Sequence, residues 1–135
     1  VAICYESVYG EFYTDFVRRG AKVMSVITND GWWGETNGHR QHFSYSCLRA
    51  VETRRSVARS ANTGISGFIS PRGQVISSLG WDERGVLTAE VPVESRLTLY
   101  TRLGDYVARL SCYLLLLCVL YYIAYRVRRR NHLVD

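Results

Sequence analysis

Apolar positions change rhythm several times along this chain, and each rhythm predicts a different element. VAIC (1–4) is a short unbroken apolar run, the pattern of a buried strand. GEFYTDFVRRG (10–20) reads as a helix, with Glu11 and Asp15 early, Arg18 and Arg19 in the last turn, and Gly20 as the stop. Phe12, Phe16 and Val17 would form its buried stripe. KVMSVIT (22–28) is rich in β-branched residues and leads into the polar, glycine-punctuated loop NDGWWGETNG (29–38). Strand, helix and strand in so short a span predict a βαβ unit with largely parallel pairing.

A second helix is expected over roughly residues 40–60. Phe43, Cys47, Ala50, Val51, Val57 and Ala58 share one side of its wheel, and Arg49, Glu52, Arg55 and Arg59 form a mixed-charge ladder on another. The simplest reading of that ladder is a solvated, salt-bridged face. Arg54 falls toward the apolar stripe, so it must snorkel, pair with a buried acid, or mark a break in the helix. ISGFIS and QVISS then flank Pro71-Arg72-Gly73, a hairpin with turn residues in suitable places. GVLTAEVPV (85–93) predicts one more strand.

The tail differs from everything before it. Leu110 to Tyr125 carries no charge, and sixteen helical residues span about 24 Å, a little short of a hydrocarbon core of about 30 Å. Arg109 and Arg126 can snorkel from its two ends, and Tyr113, Tyr121, Tyr122 and Tyr125 supply interfacial rings. A buried core helix is the competing reading, but four consecutive leucines followed by an arginine cluster favour a membrane anchor. Arg126, Arg128, Arg129 and Arg130 favour a cytoplasmic C-terminus, against Arg96, Arg102 and Arg109 on the other side.

Charge changes the picture only once it is divided. The net charge of +5 splits into +1 over residues 1–106 (twelve basic, eleven acidic) and +4 over 107–135 (five basic, one acidic). The excess lies beside the apolar segment, which points to a membrane surface and away from nucleic acid. The cysteines, Cys4, Cys47, Cys112 and Cys118, form no CxxC pair and no Cys/His ligand spacing, so neither a zinc site nor any other metal or cofactor is expected. The chain opens on Val1 inside a strand-like run, which reads as an interior piece of a longer protein.

Candidate chemistry begins at Cys4. A cysteine ending a strand at a turn presents its thiol beside backbone N–H groups able to hold an oxyanion, and Glu6 stands two residues on. A buried strand cysteine is the plainer alternative. His39 and His42 in GHRQH admit a Cys–His pair, although a polar helix entrance is the preferred reading. Trp32 and Trp33 fit core packing, an interfacial anchor or the wall of an acyl-chain pocket.

The string ICYES followed by NDGWWG, QHF, RAVETRRSVARSANTGIS and SPRGQV resembles the C-terminal half of the apolipoprotein N-acyltransferases of the nitrilase superfamily. LTLYTRLGDY leading into a single apolar helix extends the resemblance over essentially the whole chain. The CYE block is shared with nitrilases and amidases generally, while NDGWWG with the terminal helix points to the acyltransferase branch. The resemblance implies an α/β fold: the C-terminal half of an αββα sandwich over 1–105, a transmembrane helix over 106–127, and a basic cytoplasmic tail over 128–135. The catalytic part would face the periplasm from the inner membrane.

It further implies a ping-pong reaction in which a cysteine takes an acyl chain from a phospholipid as a thioester. The chain then passes to the α-amino group of a lipoprotein's diacylglyceryl-cysteine. Cys4 matches the nucleophile, Tyr5 and Glu6 the two residues after it, and Trp32 and Trp33 the aromatic loop beside the lipid, where the family more often carries Trp-Phe. The family's catalytic glutamate and lysine lie upstream of the CYE block and here would precede Val1. Lys22, the single lysine, does not match the family position, so the chain alone should be inactive. A membrane-tethered carbon–nitrogen hydrolase using the same Cys4, and a non-catalytic anchored interaction module, remain the alternatives.

Overall fold

The computed structural model describes residues 1–131, in two compact units divided between Gly104 and Asp105. The first unit is an α/β layer built around a five-stranded sheet in the order β1-β2-β3-β4-β5. β1 (Ala2–Ile3) is followed by a 3-10 turn over Cys4–Val8, and α1 (Gly10–Arg18) then leads to β2 (Val23–Thr28). A short 3-10 turn at Gly31–Trp33 precedes α2 (Asn37–Thr53), β3 (Ser56–Ala61), β4 (Ser66–Ile69), β5 (Val75–Leu79) and α3 (Leu99–Leu103).

β1, β2 and β3 run parallel, as the βαβ pattern predicts, and β4 and β5 continue the sheet antiparallel. Both crossovers step the same way along the sheet, and right-handed connections then put α1 and α2 on one face. Period-two alternation assigns each strand residue to a face. Ala2, Met24, Val26 and Val57 point to the helices and join Tyr13, Val17, Phe43, Ala50 and Ile69 in the buried core. Tyr13 rather than Phe12 fills the centre of the α1 stripe, and Phe12 is exposed.

The opposite face is open. Ser25, Ile27, Ala58, Ser60, Phe68 and Leu87 line a shallow cleft of about 410 Å³ there. Leu87 comes from the 85–93 segment, which was expected to be a strand and forms no ladder. Its residues still alternate between half-buried (Leu87, Ala89, Val91) and exposed, so the sequence rhythm reported an extended chain without reporting a partner strand.

The helix expected over 40–60 is a correction of more consequence. α2 stops at Thr53, and Arg54 takes left-handed backbone angles (φ 53, ψ 42) as its C-cap. The chain then reverses into β3, the central strand. Val57 therefore meets the helices from the sheet, and Arg54 is exposed at the break. The arginine ladder is not a solvated face either. Arg49 and Glu52 do pair at 3.1 Å, but Arg49, Arg55 and Arg59 are all buried. Arg55 donates from Nε to the Ala21 carbonyl and from Nη1 to the Arg96 carbonyl, tying the start of β3 to its neighbours.

The second unit contains α4 (Tyr106–Asn131). Tyr106–Arg129, 24 residues, is long and apolar enough to cross a membrane by length and composition. His132 to Asp135, the end of the expected basic tail, lie outside the described residues.

Candidate active site

Three parallel strands ending at one edge of a sheet concentrate loops there, and this is where Cys4 lies. It follows β1 directly and carries φ 51, a left-handed conformation that costs a non-glycine residue about 1 kcal/mol. Such strain is retained only where surrounding contacts fix it. Here they are explicit. The Glu6 carboxylate accepts the Ile3 N–H at 2.7 Å, and the Ser7 hydroxyl donates to the Cys4 carbonyl at 2.9 Å. The half-buried thiol of Cys4 lies 3.4 Å from Thr28 Oγ1 at the end of β2.

Glu6 thus spends one carboxylate oxygen on the backbone of the turn. Tyr5 is half exposed and its ring lies 6.4 Å from Trp33 and 5.8 Å from His42. Trp33 is half-buried and packs edge-on against His42, with ring centroids 5.2 Å apart. Trp32 projects outward, 82% exposed. Of the five residues singled out in the sequence, Cys4, Tyr5, Glu6 and Trp33 are close neighbours, and Trp32 stands at the surface beside them.

Beneath them is a buried polar cluster that sequence reasoning did not assemble. Thr28 Oγ1 donates to Asp30 Oδ1 at 2.9 Å, His42 Nδ1 meets the same oxygen at 2.8 Å, and Arg59 Nη2 meets Asp30 Oδ2 at 2.7 Å. Arg59 also donates from Nη1 to Ser46 Oγ at 3.0 Å, and His42 Nε2 faces Ser7 Oγ at 3.2 Å. An ionised carboxylate only accepts, so His42 Nδ1 carries the proton it shares with Asp30. Burial pushes the Asp30 carboxyl up, but the His42 hydrogen bond, the Arg59 charge and the Thr28 hydroxyl outweigh it and hold the group below the usual carboxylate range. Burial lowers the Arg59 guanidinium from its ordinary value, and the Asp30 charge acts in the opposite direction.

The expected polar helix entrance is corrected by this arrangement. His42 is 2% exposed and acts through Ser7 and Asp30, and equally buried His39 lies against the Trp81 ring at 4.5 Å. The available signal was an arginine inside an apolar strand pattern (SVARSA) together with an aspartate just past another strand (VITND). Two opposite charges at neighbouring strand ends imply a buried pair, but only once 56–61 is recognised as strand. Among the described residues no cluster of His, Cys, Asp and Glu has metal-site geometry.

Comparison with known proteins adds to this geometry. Residues 1–98 match the carbon-nitrogen hydrolase family. The chain is 46% identical over 105 residues to apolipoprotein N-acyltransferase of Chlorobaculum tepidum, covering 78% of the chain and 20% of that protein. It is 40% identical over 130 residues to the same-named protein of Bradyrhizobium diazoefficiens, covering 96% and 23%. The corresponding figures for Thermotoga maritima are 37% over 121 residues, 88% and 24%. The chain spans about a fifth of the length of these curated relatives.

Proposed function

Because the chain belongs to the carbon-nitrogen hydrolase family, we propose that it carries the nucleophile of a membrane acyltransferase, with Cys4 Sγ as the attacking atom. The observation that carries this reading is the left-handed Cys4 at the carboxyl end of a parallel strand, pinned from below by Thr28 and Ser7.

Thiol chemistry suits the two half-reactions. The Cys4 thiolate attacks the ester carbonyl carbon of a phospholipid, the ester C–O bond breaks, and a lysophospholipid leaves with a proton. The resulting thioester is then attacked by the α-amino group of a lipoprotein's diacylglyceryl-cysteine, the C–S bond breaks, and the sulfur regains a proton. The base for the thiol and the cation for the tetrahedral oxyanion are the glutamate and lysine that the family supplies upstream of its CYE block. Glu6 holds the turn, the Tyr5 backbone supports the oxyanion, and Trp32 and Trp33 meet the lipid. α4 crosses the inner membrane over 106–127, with 1–105 periplasmic and 128–135 cytoplasmic. Similarity to proteins named apolipoprotein N-acyltransferase supports the acceptor, and the apolar helix supports the membrane setting.

The family match alone also fits a membrane-anchored amidase, which would use the same Cys4 and transfer to water. Intact-mass analysis of the complete polypeptide with phospholipid, before and after hydroxylamine, separates these. An adduct on Cys4 that hydroxylamine removes and Cys4→Ser never forms is expected. Absence of any acyl adduct with phospholipid, alongside turnover of an amide, would move the assignment to the hydrolase.

A further inference from the structure

Thr28 has one hydroxyl proton and two acceptors within reach: Asp30 Oδ1 at 2.9 Å and Cys4 Sγ at 3.4 Å. A single O–H cannot donate to both. With Cys4 as a thiol, Thr28 O–H donates to the Asp30 carboxylate, which has no proton to give, and this leaves Thr28 Oγ1 able to accept from the S–H. When the thiol loses its proton, Thr28 Oγ1 loses a donor and faces an anion. The hydroxyl can then turn by rotation about one bond and donate to the sulfur.

Asp30 can release that hydroxyl because its charge is already served twice. His42 Nδ1 remains on Oδ1 and Arg59 Nη2 on Oδ2, and both groups are out of solvent. We propose that Thr28 is a two-position hydroxyl switch that supports the Cys4 thiolate, with the Asp30–His42–Arg59 cluster as the fixed platform that allows it to turn. This rests on the reading of Cys4 as the nucleophile and adds a positioning residue to it. The thiol proton leaves to a base, the carboxylate supplied by the rest of the enzyme or water in a labelling assay. Only the direction of one O–H changes, and no other bond is made or broken.

Other charged and titratable groups around the sulfur are accounted for. Glu6 on the same turn is engaged with the Ile3 N–H. From β3 comes Arg59, and from α2 come His42 and Cys47, whose thiol is pushed up by burial. Asp30 follows β2. Among these groups Thr28 reaches Cys4 Sγ within hydrogen-bond distance, and the Arg59 charge acts on it through space.

The test uses the complete polypeptide in detergent and follows alkylation of Cys4 by iodoacetamide across pH 5 to 10, mapped by peptide mass. Thr28→Val keeps the shape and removes the hydroxyl. Its rate at pH 7 should fall about tenfold, the scale of one hydrogen bond to an anion, with the profile displaced to higher pH. Thr28→Ser should restore both. If Thr28→Val fails to fold, Thr28→Ala replaces it. A Val or Ala profile that superimposes on the wild type, or a Ser profile that follows Val, overturns the switch. The acyl-adduct assay on the unaltered protein is independent: a thioester with no profile shift sinks the switch alone, whereas a profile shift with no thioester sinks the acyltransferase reading alone.

Discussion

Asp30 Oδ2 and Arg59 Nη2 lie 2.7 Å apart with neither side chain reaching solvent. The two residues are joined across neighbouring parallel strands, since β2 pairs β3 in register and Asp30 follows β2 directly. A buried pair of this kind is worth little against an apolar replacement, but losing one member strands the other charge in the interior.

Asp30→Ala in the complete polypeptide should therefore cost about 3–5 kcal/mol. Asp30→Ala combined with Arg59→Met should cost clearly less than the sum of the two single changes. Denaturant unfolding in detergent of the four proteins of this cycle measures the coupling. Simple additivity would mean the pair carries no interaction of its own.

Acid should act on the same carboxylate. Asp30 is held below its ordinary value in the folded protein. Above an unfolded value of about 3.9 both states are ionised and the stabilisation is fully present. As pH falls from there toward the lower folded value, the unfolded chain binds the proton first and the stabilisation drains away. The gap in unfolding midpoint between wild type and Asp30→Asn should narrow below about pH 4 from its value at pH 5. A gap that widens in acid would contradict the assigned direction.

Gly64 lies far from Cys4 in sequence but against the platform in space. A Cβ there would collide with the Asp30 carboxylate and its Cβ, and Gly64 is buried. Gly64→Ala should destabilise by about 1–3 kcal/mol and slow Cys4 alkylation as well. Unchanged alkylation in a destabilised protein would uncouple the loop from the thiol.

Arg54 offers a change in the other direction. Its φ of 53 suits glycine, and its side chain is exposed. Arg54→Gly should raise stability by about 1 kcal/mol without touching the site. Thermal unfolding with and without the change decides it, and a loss would show that the guanidinium makes contacts worth more than the strain.

Legibility in the sequence followed the range of the forces involved. α1, β2 and the β4–β5 hairpin were readable because their caps and turn residues are local: Gly20 after the last turn, Gly73 at φ 78 in the hairpin. The junction at Arg54 was not, because a helical wheel drawn through it kept apolar residues on one side by coincidence. β3 pairs parallel with β2 and antiparallel with β4, and its alternation is masked in the sequence because its core face takes polar Arg59 through a partner 29 residues away. Cys4, Tyr5 and Glu6 came from a contiguous motif. Thr28 and Asp30 stand two residues apart, but His42 and Arg59 come from two further segments, so the meeting of all four depends on the sheet register.

That dependence makes the reversal at Arg54 a measuring device. From it the chain runs back twelve helical residues to His42, about 18 Å at 1.5 Å each, and forward five extended residues to Arg59, about 16 Å at 3.3 Å each. The two arms nearly match, so both side chains arrive at Asp30 together. Helix and strand count residues at different rates, and a single insertion in either arm cannot be shared by the other. One residue added to α2 between His42 and Thr53 would turn the imidazole by about 100° around the helix axis. One added to β3 before Arg59 would send the guanidinium to the open face of the sheet.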